Sequence, residues 1–150
     1  DYIDDNFGLR IGVLTAEKVK IQIGSLLEND NTEIIVNGRD CDSGRPRAVA
    51  VRASDIFEPI KIFFDKIFRI ADMLMAKLPA EISADIRRAG VYFAGGGSRI
   101  VGLEQYFRYN AGMRANVCDN PELATVCGAG KVCGNAKLLS ALNLKHTGRK

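Results

Sequence analysis

The sequence predicts an α/β fold, because helical and strand-like patterns alternate along its C-terminal half. Two short apolar runs at 91–94 and 115–118 are typical of strands, and helical spacing covers 102–109 and 122–142. Strands separated by helices of this length pair in parallel through right-handed crossovers. The N-terminal half adds a helix, a hairpin and a long apolar helix, so the 150 residues suffice for one compact core or two small lobes.

The first helix is expected over 16–23, where Thr15 can serve as the N-cap and Gly24 ends the helical pattern. Branched residues at 33–36 and 48–52 then predict two strands. Turn-forming residues fill the segment between these strands. We therefore expect a β-hairpin with a long, solvent-exposed connection.

A long helix is predicted to begin with Ser54 as its cap and to end near Leu78. Apolar side chains follow helical spacing along it and also occupy its other faces. Those at helical spacing are Ile56, Ile60, Phe63, Phe64, Ile67, Ala71, Leu74 and Leu78. Such a helix must be covered on more than one side, by two lobes of this chain or by a segment outside it.

The elements after Pro79 supply the alternating pattern. A short helix is predicted over 81–89, and the apolar run at 91–94 has the composition of a buried, parallel strand. Pro121 suits the first turn of a last helix, which we expect to run from 122 to about 142.

Charge and cysteine content exclude several functional classes. The formal net charge is +3, from 21 basic and 18 acidic residues interspersed along the chain, which argues against a nucleic-acid partner. Cys41, Cys118, Cys127 and Cys133 lack metal-ligand spacing and His146 is the single histidine, so no metal site is predicted. We expect the last three cysteines to be buried, reduced thiols of a cytoplasmic protein. No apolar run approaches the roughly 20 residues that a membrane-spanning helix needs.

Three consecutive glycines, Gly95, Gly96 and Gly97, follow the strand at 91–94 and precede a helix; we call them the glycine loop. Ligands of open α/β sheets bind at the carboxyl ends of strands, and glycines let a purine or phosphate approach the main-chain amides. A tight turn without a ligand is the alternative. The dinucleotide spacing G-x-G-x-x-G fails at Arg99 and Ile100, and the ending of a P-loop is absent.

Three stretches, in this order, resemble the actin-like ATPase superfamily, which has a ribonuclease H-like fold, and most closely its bacterial MreB branch. They are residues 11–25, the strand and glycine loop at 91–100, and residues 119–130. The turn-rich segment 38–46 is also similar to the hairpin of the small C-terminal subdomain of MreB proteins. The resemblance identifies the chain as the C-terminal half of an actin-like fold. It implies a small subdomain with hairpin and long helix at 1–78, part of the larger subdomain at 79–142, and a basic tail at 143–150.

The resemblance also implies a nucleotide-binding site. In the family, the helix that carries Glu17 and Lys20 lines one side of the adenine and ribose, the glycine loop lines the other, and the segment at Glu122 closes the rim. Glu17 and Lys20 stand three residues apart on one helical face, where they can present an acceptor and a donor together. A solvent-exposed ion pair between them is the alternative.

Three positions depart from the usual MreB pattern. Arg99 stands where an aliphatic residue is more common, whereas in the related heat-shock chaperone ATPases an arginine stacks on the adenine, as its planar guanidinium allows. Val13 and Leu14 replace a glutamate and an arginine, so a divergent paralogue is an alternative to an orthodox MreB. The phosphate-binding hairpins and catalytic carboxylate of the superfamily do not occur in this chain. We therefore assign no catalytic residue and expect the chain alone to be inactive.

For the complete protein the resemblance implies ATP or ADP with Mg²⁺, none of which this chain alone requires. It also implies self-association into filaments in the cytoplasm, at the inner face of the cell membrane. Cell-wall synthesis proteins and membrane-associated shape proteins would be its partners. Two alternatives stay open, namely the nucleotide-binding half of a chaperone-type ATPase, which Arg99 favours, and a non-catalytic interaction module with an actin fold.

Overall fold

A computed structural model describes residues 2–141 and confirms the α/β class. The elements are, in order, α1 (Tyr2–Phe7), β1 (Leu9–Arg10), α2 (Val13–Ile23), β2 (Glu33–Asp40), β3 (Pro46–Arg52), α3 (Ala53–Met75), α4 (Ala80–Ala89), β4 (Val91–Phe93), α5 (Leu103–Ala111), β5 (Ala115–Val117), α6 (Ala124–Cys133) and α7 (Ala136–Ala141). One 3-10 turn, Gly96–Arg99, follows β4. The predicted tail at 143–150 and the predicted helix end at Leu142 lie outside the described residues.

The chain divides into two compact units. The first consists of Asp1–Val91 and Ile100–Ala115, and the second of Tyr92–Arg99 and Asn116–Lys150. The boundaries of these two units differ from those of the subdomains inferred from the family resemblance. The subdomain boundaries stay a prediction.

An antiparallel sheet in the order β1, β2, β3 forms the centre of the first unit. The hairpin is confirmed, but its predicted long connection is wrong, because the ladder continues through Gly38 opposite Arg47 and leaves only residues 41–45 as the turn. Asp40 closes this turn by accepting hydrogen bonds from the Ser43 amide and hydroxyl, both at 2.8 Å. The Ser43 amide, together with Arg47 and the Ser43 hydroxyl, holds the pKa of Asp40 well below its usual range.

The apolar core of the first unit lies between this sheet and the helices around it. Its buried members are Ile3, Leu9, Val19, Ile23, Val36, Val51, Ala53 and Ile56. In α2 they recur four residues apart, at Val19 and Ile23, which is the spacing of one helical face. The helix begins at Val13 with Gly12 as its N-cap, so the predicted cap at Thr15 is wrong. Extended backbone at Gly12 already allows the helix to start one turn earlier.

The long helix α3 is confirmed, but Ser54 is not its cap. The helix follows directly on strand β3, and the Asp55 carboxylate accepts a hydrogen bond from the Arg52 amide at 2.8 Å. One face of α3 buries Phe64 and Phe68. Another face is exposed, with large apolar side chains that include Phe63, Ile70, Met73 and Leu74.

Strands β4 and β5 form a two-stranded sheet. The Val91 amide donates to the Arg114 carbonyl at 2.8 Å and the Cys118 amide donates to the Phe93 carbonyl at 3.0 Å. Both partners advance along the chain in the same direction, so the predicted parallel pairing is confirmed. The prediction of a buried strand is wrong, because Tyr92 is 70% exposed. Because the sheet has two strands, β5 pairs with one edge of β4, and no strand among the described residues pairs with the other edge.

The last predicted helix is two helices, because Gly134 and Asn135 interrupt it. The Asn135 side chain accepts hydrogen bonds from the amides of Lys137 and Leu138 at 3.1 and 3.2 Å, and thereby caps a new helix.

Two of the three cysteines predicted to be buried are exposed. They are Cys127 and Cys133, which lie on α6, where none of the residues is buried. Cys118 is partly buried. Within the described part of the chain, no helix has both the length and the hydropathy to cross a bilayer.

Close approach of the neighbouring segment 9–11 makes Gly38 sensitive to substitution. A Cβ atom at this position would lie 2.6 Å from the Arg10 carbonyl oxygen and 2.8 Å from Cγ of buried Leu9. Gly38→Ala should therefore lower the free energy of unfolding by about 1–3 kcal/mol, the usual cost of overpacking. Gly128→Ala is the control, since a Cβ there meets no described atom within 4 Å. In helix α6 it should be neutral or stabilising by up to about 1 kcal/mol. Equal losses on urea denaturation would contradict the steric argument.

Candidate nucleotide-binding site

The glycine loop is held at Gly95 by one hydrogen bond to the segment before α6 and by another from Ser98 within the same turn. Gly95 has a φ of 89°, a left-handed conformation that favours glycine, and its amide donates to the Pro121 carbonyl at 2.7 Å. Ser98 is 6% exposed, and its hydroxyl donates to the Gly95 carbonyl at 2.7 Å. The anchoring role of Ser98 was missed at the level of sequence. A hydroxyl residue three positions after a turn glycine is the signal that could have indicated it.

The backbone of the glycine loop is open to a ligand on the side where side chains would otherwise stand. A Cβ atom at Gly95 or Gly97 would meet no described atom within 4 Å, and one at Gly96 would meet only Glu122 Cγ, at 3.6 Å. Gly96 and Gly97 also have no positive φ. The local fold therefore does not require glycine at these two positions. Glycine at these positions is instead explained if another molecule approaches the main chain closely.

Arg99 and Glu122 form a bidentate ion pair beside the loop. Arg99 Nη2 donates to Glu122 Oε2 at 2.9 Å, and Arg99 Nε contacts Oε1. A hydrogen bond from its own amide, and then the Arg99 guanidinium, lower the pKa of the Glu122 carboxyl. The second unit thus brings together five of the seven predicted site residues, namely Gly95, Gly96, Gly97, Arg99 and Glu122.

Glu17 and Lys20 lie on α2 in the first unit, and both are exposed. Among the ion pairs of residues 2–141, none joins these two side chains, so the surface ion pair considered as the alternative is not formed. Their spacing places a carboxylate and an ammonium group on one helical face. The Gly24 amide donates a hydrogen bond to the Lys20 carbonyl at 2.9 Å. Gly24 is the C-cap of α2, so the helix ends at the predicted position.

The chemistry of these groups suits a nucleoside. In the second unit the glycine loop offers main-chain amides and Arg99 a planar guanidinium; in the first unit, taken by itself, Glu17 and Lys20 offer a carboxylate and an ammonium group. Within residues 2–141, no three His, Cys, Asp or Glu side chains are grouped as metal ligands.

Comparison with known proteins places the chain among bacterial actin homologues. The family model for the MreB/Mbl protein matches residues 1–141. The cell shape-determining protein Mbl of Bacillus subtilis (strain 168) is 32% identical over 136 residues, which are 90% of this chain and 41% of Mbl. The chain thus spans less than half the length of this relative.

Solved structures agree with the family match. MreB5 of Spiroplasma citri bound to ADP superposes with a TM-score of 0.86 at 26% identity, over 95% of this chain and 43% of MreB5. A MamK double helical filament has a TM-score of 0.71 at 21% identity, covering 89% of this chain and 41% of MamK, and it supports the fold alone. The chain has the C-terminal half of the actin-like fold, and it belongs to the MreB/Mbl family.

Proposed function

We propose that this chain is the adenosine-binding, C-terminal portion of an ATP-dependent, filament-forming cytoskeletal protein that takes part in determining rod cell shape. Its relatives are named as cell shape-determining proteins, and MreB5 of Spiroplasma citri has been solved with ADP and with AMPPNP. The observation that carries the proposal is the glycine loop, whose Gly96 and Gly97 have no Cβ atoms although the local fold has room for them. Membership of the MreB/Mbl family disfavours the chaperone alternative.

Each part of the site has a distinct task in this proposal. The glycine loop lets the nucleoside approach the main chain, and Arg99 offers a flat cationic surface beside it. Glu17 and Lys20 supply an acceptor and a donor for the ribose hydroxyls and adenine edge. When bound, Mg²⁺ would neutralise phosphate charge, and the phosphate-binding hairpins and catalytic carboxylate of the superfamily do not occur in this sequence. This chain alone is therefore expected to have no ATPase activity.

Self-association belongs to the same proposal. The exposed apolar side chains of α3, which include Phe63, Ile70 and Met73, are of the kind that protein contacts cover. We place the complete protein in the cytoplasm, at the inner face of the cell membrane, with cell-wall synthesis and shape proteins as partners. These assignments rest on the family alone.

Alanine substitutions of Glu17 and Lys20 in the full-length protein test the nucleotide site. Each should weaken ATP and ADP binding about twofold to tenfold, because one hydrogen bond worth about 0.5–1.5 kcal/mol is lost. Lys18→Ala is the matched control, since Lys18 is exposed on the same helix but lies on another face. Calorimetric titration gives the affinities. A change in thermal stability with unchanged nucleotide affinity would show that Glu17 and Lys20 are surface residues that do not bind the nucleotide.

A further inference from the structure

The glycine loop and the segment before α6 are joined at two places. At one end the Gly95 amide donates to the Pro121 carbonyl, at 2.7 Å. At the other end the bidentate pair between Arg99 and Glu122 spans 23 positions of sequence. Gly96 lies between these two connections, and its missing Cβ would contact the Glu122 side chain at 3.6 Å. The pair therefore closes a small ring of contacts around the middle of the loop.

The Glu122 carboxylate is already largely occupied within this ring. Arg99 Nη2 donates to its Oε2 at 2.9 Å, and Arg99 Nε contacts its Oε1. Both oxygens of the carboxylate are thus engaged by the same guanidinium. Arg99 contributes only the edge of its guanidinium, so the two planar faces of the group are not used by this pair. Glu122 is thus poorly suited to bind a ligand directly and well placed to fix Arg99.

We propose that Glu122 is a positioning residue that acts through Arg99, and that the two side chains form a clasp which holds the glycine loop in its nucleotide-binding shape. This inference rests on the proposed function and deepens it. It also revises the expectation that Glu122 contacts the nucleotide itself. The clasp contributes affinity by preorganisation, since a loop fixed before binding loses less conformational freedom when the nucleotide binds.

Four variants of the full-length protein test the clasp by titration with ADP. Glu122→Gln should weaken binding by up to about fivefold, the limit set by an exposed ion pair, and Arg99→Gln should weaken it at least as much, because it also removes the flat cationic surface. The double glutamine variant should lose no more than Arg99→Gln alone, because Glu122 acts only through Arg99. The exchanged pair, Arg99→Glu with Glu122→Arg, restores the ion pair but not the Arg99 surface, so it should recover part of the affinity lost by the double variant at low salt and less of it at high salt.

Arg88→Gln is the matched control, because Arg88 forms an exposed ion pair with Asp85 on α4, with 2.8 Å between Nη2 and Oδ1. It should leave ADP affinity unchanged. Additive losses from Arg99→Gln and Glu122→Gln, with no recovery in the exchanged pair, would show that each residue binds the nucleotide directly and would overturn the clasp. Unchanged affinity in all four variants would also overturn it. Absence of ADP binding by the unmodified protein would instead refute the proposed function.

Discussion

Replacing Phe107 by alanine is expected to lower the free energy of unfolding by about 3–5 kcal/mol, the range for truncation of a buried aromatic side chain. Phe107 is 1% exposed, and its ring meets that of Phe68 edge to face, with centroids 5.0 Å apart. Phe68 in turn contacts Phe64, at 6.1 Å. The substitution leaves a cavity where α5 packs against α3 and removes these ring contacts. Urea denaturation followed by circular dichroism measures the loss.

Phe63→Ala is the matched control for this prediction. Phe63 is 59% exposed and its ring touches that of Phe64 at 5.5 Å, so its removal exposes little and leaves no enclosed cavity. A loss of at most about 1 kcal/mol is expected, as for most surface positions. A similar loss from both variants would contradict the assignment of Phe107 to the core.

Gly96→Val is expected to weaken ADP and ATP binding by the full-length protein about tenfold or more, while the protein stays folded. The first added carbon would lie 3.6 Å from Glu122 Cγ, an ordinary van der Waals contact, so the loop has room for it. The branched side chain would instead occupy the space through which the nucleoside approaches the main chain, and a tenfold loss corresponds to about 1.4 kcal/mol.

Ala80→Val controls for the added volume, because Ala80 is an exposed position at the start of α4. It should leave nucleotide affinity unchanged. Calorimetric titration compares the two variants, and far-ultraviolet circular dichroism checks that both are folded. If Gly96→Val is folded and binds ADP with normal affinity, the glycine loop is not part of the site.

Helical periodicity and short apolar runs in the sequence were sufficient to predict several elements. Helix α3, helix α4 and the parallel strands β4 and β5 were all predicted within a few residues of their observed bounds. The N-cap residues of the helices were not predicted correctly, because several neighbouring polar residues could each occupy the cap position. At the start of α3 the N-cap is Arg52 and not Ser54, since α3 follows directly on strand β3 and the Arg52 amide donates to the Asp55 carboxylate. Exposure also escaped prediction, since nothing local tells that Tyr92 lies on an uncovered side of its sheet.

The candidate site was predictable in its residues but not in its connections. Gly95, Gly96 and Gly97 are visible as a motif, and the family resemblance indicated Arg99 and Glu122 separately. The ion pair between Arg99 and Glu122 joins positions 23 apart in the sequence. It depends on the pairing of β5 with β4, which brings the segment after β5 beside the glycine loop. Tertiary packing of this kind leaves no periodic signal in a single sequence.

Hydrogen–deuterium exchange of the full-length protein, with and without ADP at a concentration shown by calorimetry to be saturating, tests most directly whether the glycine loop is the adenosine site. If the glycine loop is the adenosine site, we expect slower exchange with ADP in the peptides that contain Gly95 to Ser98 and in those that contain helix α2. These carry the main-chain amides and the Glu17 and Lys20 side chains assigned to the nucleoside. Protection by ADP confined to other segments, with exchange of the glycine loop unchanged, would contradict it.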